Sequence, residues 1–107
     1  MSGDGAASGD EPAVEALPFG EALAQLMTER GLSYRRLATM TGLSGGYLNH
    51  LVHGNRPVPA NDVIANVADA LDVPPETFRD YRMRVVWEHL RSRPELVEQL
   101  YRELGPR

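Results

Sequence analysis

Three arginines, together with a short run of amide, imidazole and hydroxyl side chains, carry the clearest chemistry in this 107-residue chain. Arg35, Arg36 and Arg56 bracket the segment from Ser44 to His53. A guanidinium is a planar fork of donors that matches phosphate oxygens. Tyr34 and Asn55, at the same edges, add a hydroxyl and an amide that can reach a phosphate. Between them, Tyr47, Asn49, His50 and His53 can meet base edges, and an Asn pairs bidentately with adenine. The expected chemistry is non-covalent. Tyr34, Arg35, Arg36, Asn55 and Arg56 would meet phosphates, and Ser44, Gly45, Gly46, Tyr47, Asn49, His50 and His53 would face bases.

Other chemistries find less support. His50 and His53 stand one helical turn apart, as a chelating pair would, but no third ligand is evident, so no metal site is expected. The histidines are expected to donate to phosphates or bases instead. Glu95, Glu98 and Glu103 have the spacing of a solvated helix face. No activated nucleophile or phosphate-binding loop is present in the sequence, so neither catalysis nor a cofactor is expected. Absence of cysteine excludes disulfides, zinc–cysteine sites and thiol nucleophiles, and fits a reducing cytoplasm. No apolar run approaches the roughly 20 residues that span a bilayer. The first residues lack the basic and apolar regions of a signal peptide. The expected location is cytoplasmic, with no membrane partner.

Net charge is −4, which at first disfavours nucleic acid. Its distribution reverses that reading. Residues 1–17 carry Asp4, Asp10, Glu11 and Glu15 and no base. Residues 30–61 carry Arg30, Arg35, Arg36 and Arg56 and no acid. Local charge sets the field at a docking surface, and charges beyond about 8–10 Å are screened.

These groups need helices to position them. Residues 1–17 are rich in Gly, Ala, Ser and acids without an apolar period, and read as a disordered acidic tail. Phe19, Ala22, Leu23, Leu26 and Met27 mark a helix over about 19–30, stopped by Gly31. Ser33 caps a second over about 34–41, with Leu37, Ala38 and Met40 as inner positions and Gly42 as its end. Leu43 lies in the turn and points inward. Ser44 caps a third, about 45–53, with Leu48, Leu51 and Val52 as its apolar stripe. Residues 55–59 are a loop by composition. Val63, Ile64, Val67, Ala68 and Leu71 mark a fourth helix, about 60–71. Beyond Pro74-Pro75 come a fifth, about 75–92, and, after Pro94, a sixth, about 94–104. No strand pattern is sustained, so the fold class is all-α, with five or six short helices. Two short helices joined by a Gly-containing turn can present the second to the major groove.

The stretch from Ser33 to Val73 resembles the phage-repressor-type (XRE-like) helix-turn-helix family. The resemblance is carried by Leu37-Ala38, Gly42-Leu43-Ser44 and Tyr47-Leu48-Asn49. Gly54, Pro59, Ala68, Ala70, Leu71 and Val73 then follow at the family's spacing. It covers residues 19–73. The resemblance implies a lambda-repressor-like bundle, a recognition helix at about 45–53, and binding to double-stranded DNA as a homodimer that regulates transcription. The chain departs from the family at two places. Tyr34 stands where a Gln often touches a phosphate, and Gly45-Gly46 stand where long polar side chains usually read bases. Two readings follow. In one, the glycines let the backbone approach DNA closely while Tyr47, Asn49 and His50 read bases. In the other, DNA binding is weak and the module is antitoxin-like or an adaptor for another protein.

The expected organisation is thus a tail (1–17), a helix-turn-helix domain (18–73) and a helical extension (74–107). The fifth helix offers Phe78, Tyr81, Val85, Val86, Trp87 and Leu90, and the sixth Leu96, Val97, Leu100, Tyr101 and Leu104. This extension is a candidate dimerisation surface; the alternative is that it folds back onto the monomer core. The sequence names no effector ligand.

Overall fold

The computed structural model describes residues 12–105, and every regular element among them is helical. We number the α-helices α1 (Phe19–Arg30), α2 (Tyr34–Thr41), α3 (Gly45–Val52), α4 (Asn61–Ala70), α5 (Arg79–Arg91) and α6 (Pro94–Leu104). Short 3₁₀ turns lie at Val14–Ala16 and Pro75–Thr77.

Local chemistry sets the helix ends. α1 stops because Gly31 adopts the left-handed conformation (φ 63°), so the Leu32 and Gly31 amides donate back to the carbonyls of Met27 and Thr28. The Ser33 hydroxyl accepts from the Arg36 amide, and that of Ser44 from the Tyr47 amide, each at 3.0 Å. Gly42 makes the sharp turn between α2 and α3 at φ 80°, a conformation that costs a residue with a Cβ about 1–2 kcal/mol.

The core is aliphatic with two rings in it. Phe19, Ala22, Leu23, Leu26 and Met27 of α1 meet Leu37 of α2, Leu48 and Leu51 of α3, and Ile64, Val67 and Ala68 of α4, with Leu71 and Phe78 completing the cluster. Ala38 and Leu43 pack against it half-buried, as the close approach of α2 and α3 requires. Met40 does not. It is 48% exposed, because the short α2 turns only Leu37 fully inward.

Residues on both sides of the four core helices join their packing. Residues 1–11 of the expected tail lie outside the described residues. Residues 12–17 include the Val14–Ala16 turn, and Val14 and Leu17 pack against the core. At the other end, Phe78 is fully buried, with its ring 4.9 Å from that of Phe19 and tilted 49°. Asp80 Oδ2 accepts the Phe19 amide at 2.8 Å, so a carboxylate 61 residues away caps α1 and complements its dipole. Arg82 donates to the carbonyls of Glu15, Glu76 and Thr77, fastening the 3₁₀ turn before α1 to the start of α5. The start of the extension therefore completes the first core. The second half of α5 and all of α6 bury no residue fully.

Candidate nucleic-acid interface

α3 is positioned by its inner face. Leu48 and Leu51 are buried against α1, α2 and α4. At about 100° per residue, positions 46, 49, 50 and 53 then fall on one side of the helix, away from those leucines. Gly46, Asn49, His50 and His53 are all exposed there. Ser44 is exposed too, with its hydroxyl committed to the cap. Tyr47 is only half-exposed. It packs against the core, so its ring fixes α3 while its edge borders the outer face.

The seat of α3 depends on a residue that hydrophobic periodicity does not find. Gly20, in the first turn of α1, faces the C-terminal end of α3. A Cβ there would lie 2.4 Å from the Leu51 carbonyl oxygen and 3.0 Å from that of Val52. The only sequence signal is a glycine inside a helix, which disfavours helix and often marks a close backbone approach.

Gly45 and Gly46 are different. Neither has positive φ. A Cβ on Gly46 would meet nothing within 4 Å, and one on Gly45 would stand 3.8 Å from the Tyr34 Cβ, an ordinary contact. Packing does not require these glycines, so the bare first turn of α3 is a property of its outer surface. The Gly45 contact also puts Tyr34, at the start of α2, beside the start of α3.

The arginines of the two segments that flank α3 in the chain, at the start of α2 and in the loop after α3, differ from most of the other described ones. Arg35, Arg36 and Arg56 are exposed, and no described residue hydrogen-bonds or pairs with their guanidinium groups. Arg30, by contrast, gives its Nε to the Leu71 carbonyl and pairs with Glu29, so it is a strut between α1 and the end of α4. Arg82 and Arg84 likewise donate to backbone carbonyls. Asn55 is exposed beside Arg56, and its backbone N–H donates to the His50 carbonyl at the end of α3. His53 Nδ1 lies 2.9 Å from the Asn49 carbonyl oxygen. That oxygen can only accept, so Nδ1 carries a proton and Nε2 is the free position of the ring. Among the described residues no group of three or more His, Asp or Glu is gathered as metal ligands. Glu95 stands on an exposed face, where the Arg93 guanidinium at 2.8 Å holds its carboxyl below the usual carboxylate range.

A second surface lies on α5 and α6. An open groove of about 580 Å³ runs along α5 past Arg79, Met83, Val86, Trp87 and Leu90. Trp87 is 59% exposed, and Val97, Tyr101 and Leu104 of α6 are exposed as well. No described helix is long and apolar enough to cross a membrane.

The helix-turn-helix domain family matches residues 18–80, a span that includes Phe78 and Asp80. The chain is 40% identical over 58 residues to the HTH-type transcriptional repressor RghR of Bacillus subtilis; this match takes in 54% of the chain and 43% of that relative's length. Among solved structures it is similar to the restriction-modification controller protein C.AhdI of Aeromonas hydrophila. That likeness has 37% identity and a TM-score of 0.52, over 62% of this chain and 96% of that one. The clp gene regulator ClgR of Corynebacterium glutamicum shares the fold at 24% identity and a TM-score of 0.52, over 91% of this chain and 99% of that one.

Proposed function

This chain belongs to the helix-turn-helix domain family, and from that premise we propose that it binds double-stranded DNA as a homodimer and regulates transcription. In this reading α3 enters the major groove, which at about 12 Å wide admits one helix. Asn49 and His50 read bases at its centre, with His53 and the edge of Tyr47 beside them. Ser44, Gly45 and Gly46 bring the first turn close to the bases through backbone alone. Tyr34, Arg35, Arg36, Asn55 and Arg56 hold the flanking phosphates.

The observation that carries this reading is the trio of exposed guanidinium groups with no described partner in the acid-free stretch that includes α2 and α3. Its relatives include proteins named as a transcriptional repressor and as a restriction-modification controller, which favours a regulatory role. The exposed apolar residues of α5 and α6 support the dimer, since a second copy would cover Trp87 and its neighbours. Two-fold symmetry would then set two α3 helices about 34 Å apart along one face of the duplex. The antitoxin-like or adaptor reading rests on that same apolar face, but leaves the three unpartnered arginines without a role.

Salt dependence provides the test. Each arginine that neutralises a phosphate contributes about −0.9 to the slope of log affinity against log salt. Changing Arg35, Arg36 and Arg56 together to Ala is expected to flatten the slope by about 2.7 and to weaken binding to all duplexes alike. An unchanged slope would show that DNA is not held at these residues.

A further inference from the structure

The loop between α3 and α4 carries Asn55 and Arg56, and it is held from an unexpected direction. Arg84, half-buried near the middle of α5, donates from Nη1 to the Pro59 carbonyl at 2.5 Å and to Asn61 Oδ1 at 3.1 Å. The Asn61 amide in turn donates to the Tyr81 carbonyl at 3.3 Å, closing a clamp between α5 and the start of α4. Arg84 also lines the α5 groove beside Val86 and Trp87.

We propose that Arg84 is a positioning residue for DNA binding: through Pro59 it sets the loop at the angle where Arg56 and Asn55 meet phosphates. This rests on the DNA-binding reading above and extends it to a residue outside the helix-turn-helix. The loop is suited to transmit the hold. Pro57 and Pro59 each lock φ near −65°, and each restricts the residue before it to extended conformations. Arg56 to Pro59 is therefore a short stiff rod of about 3 Å per residue, not a flexible tether. Fixing the Pro59 carbonyl orients the rod, at whose far end Arg56 stands exposed. Burial of Pro59 and packing of Val58 against the core also hold the rod to the domain, and the Arg84 donors add a polar hold on the same stretch. The clamp makes one guanidinium common to the apolar groove of α5 and the loop that carries Arg56.

A double-mutant cycle tests this. Arg84→Met keeps the aliphatic stem over the groove and removes the donors. Wild type, Arg84→Met, Arg56→Ala and the double variant are titrated with a mixed-sequence duplex across a salt series, with sedimentation of each protein at the same concentrations. Arg84→Met is expected to lower affinity several-fold and to remove about 0.9 from the salt slope, as Arg56→Ala does. In the Arg56→Ala background it is expected to add little, because the contact it positions is already gone. Losses that multiply independently, wild-type affinity in Arg84→Met, a loss that follows dissociation of the dimer, or unfolding of the variant would each overturn the proposal. Failure of the wild type to bind the duplex would instead remove the DNA-binding reading, and this proposal with it.

Discussion

Gly20→Ala is expected to destabilise the domain by about 3 kcal/mol, whereas Gly46→Ala stabilises it. The two glycines lie in helices that touch, and local propensity favours alanine at both. Their surroundings decide the sign. At position 20 the added methyl would stand 2.4 Å from the Leu51 carbonyl oxygen, well inside van der Waals contact. Its neighbours are backbone atoms of α3, which no rotamer change can move aside. Overpacking a core costs about 1–3 kcal/mol, and a clash with backbone belongs at the upper end. At position 46 nothing lies within 4 Å, so the alanine meets no obstacle and restricts the unfolded chain, a gain of about 0.4–1 kcal/mol. Urea unfolding of the two variants measures both. Equal stabilities would mean that α1 and α3 are not in the close contact described. The Gly46 variant also separates stability from binding: a more stable protein that holds DNA less tightly would identify the bare first turn as a surface for close approach.

Phe78→Ala is expected to cost about 3–5 kcal/mol, a large part of the 5–15 kcal/mol that holds an ordinary domain together. Phe78 is fully buried, and its ring sits against Phe19. Its loss would leave a cavity beneath the first turn of α1. It would also loosen Asp80, which caps that turn. Trp87→Ala is the matched control. Trp87 is the larger side chain but is 59% exposed, so its removal should change the stability of the monomer by no more than about 0.5 kcal/mol. Thermal unfolding of dilute protein compares them, and similar shifts for the two variants would contradict the placement of Phe78 in the core. The same argument predicts that a chain ending at residue 73 fails to fold stably, although the local helical pattern of the first four helices ends there.

How far the sequence reveals this structure depends on how local each cause is. The ends of α2 and α3 are legible because Ser33, Gly42 and Ser44 act within a few residues of themselves. The inner positions Leu37, Leu48 and Leu51 follow from helical spacing for the same reason. Long-range contacts leave no such mark. Nothing near Asp80 says that its carboxylate caps a helix 61 residues earlier, and nothing near Arg82 says that it fastens Glu15. Helical spacing up to residue 73 likewise gives no sign that Phe78 packs against Phe19. Val85, Val86 and Trp87 are consecutive, so together they cover more than half the circumference of a helix, and apolar pattern alone does not choose their inner side. Met40 looks like a core position only by residue type. In the candidate interface, charge pattern groups Arg35, Arg36 and Arg56 with Arg30, and only the structure sets Arg30 apart, by its commitment to the Leu71 carbonyl and Glu29.

The central claim is that α3 reads double-stranded DNA from a two-fold symmetric dimer. Selection of bound duplexes from a random-sequence pool tests it most directly. The account predicts enrichment of a pseudo-palindrome whose half-sites are centred about one helical turn, or 10–10.5 base pairs, apart. Within each half-site it predicts a short run of specified bases, with an adenine where Asn49 can pair. A pool that shows no enrichment after repeated rounds, while the protein remains folded, would contradict it.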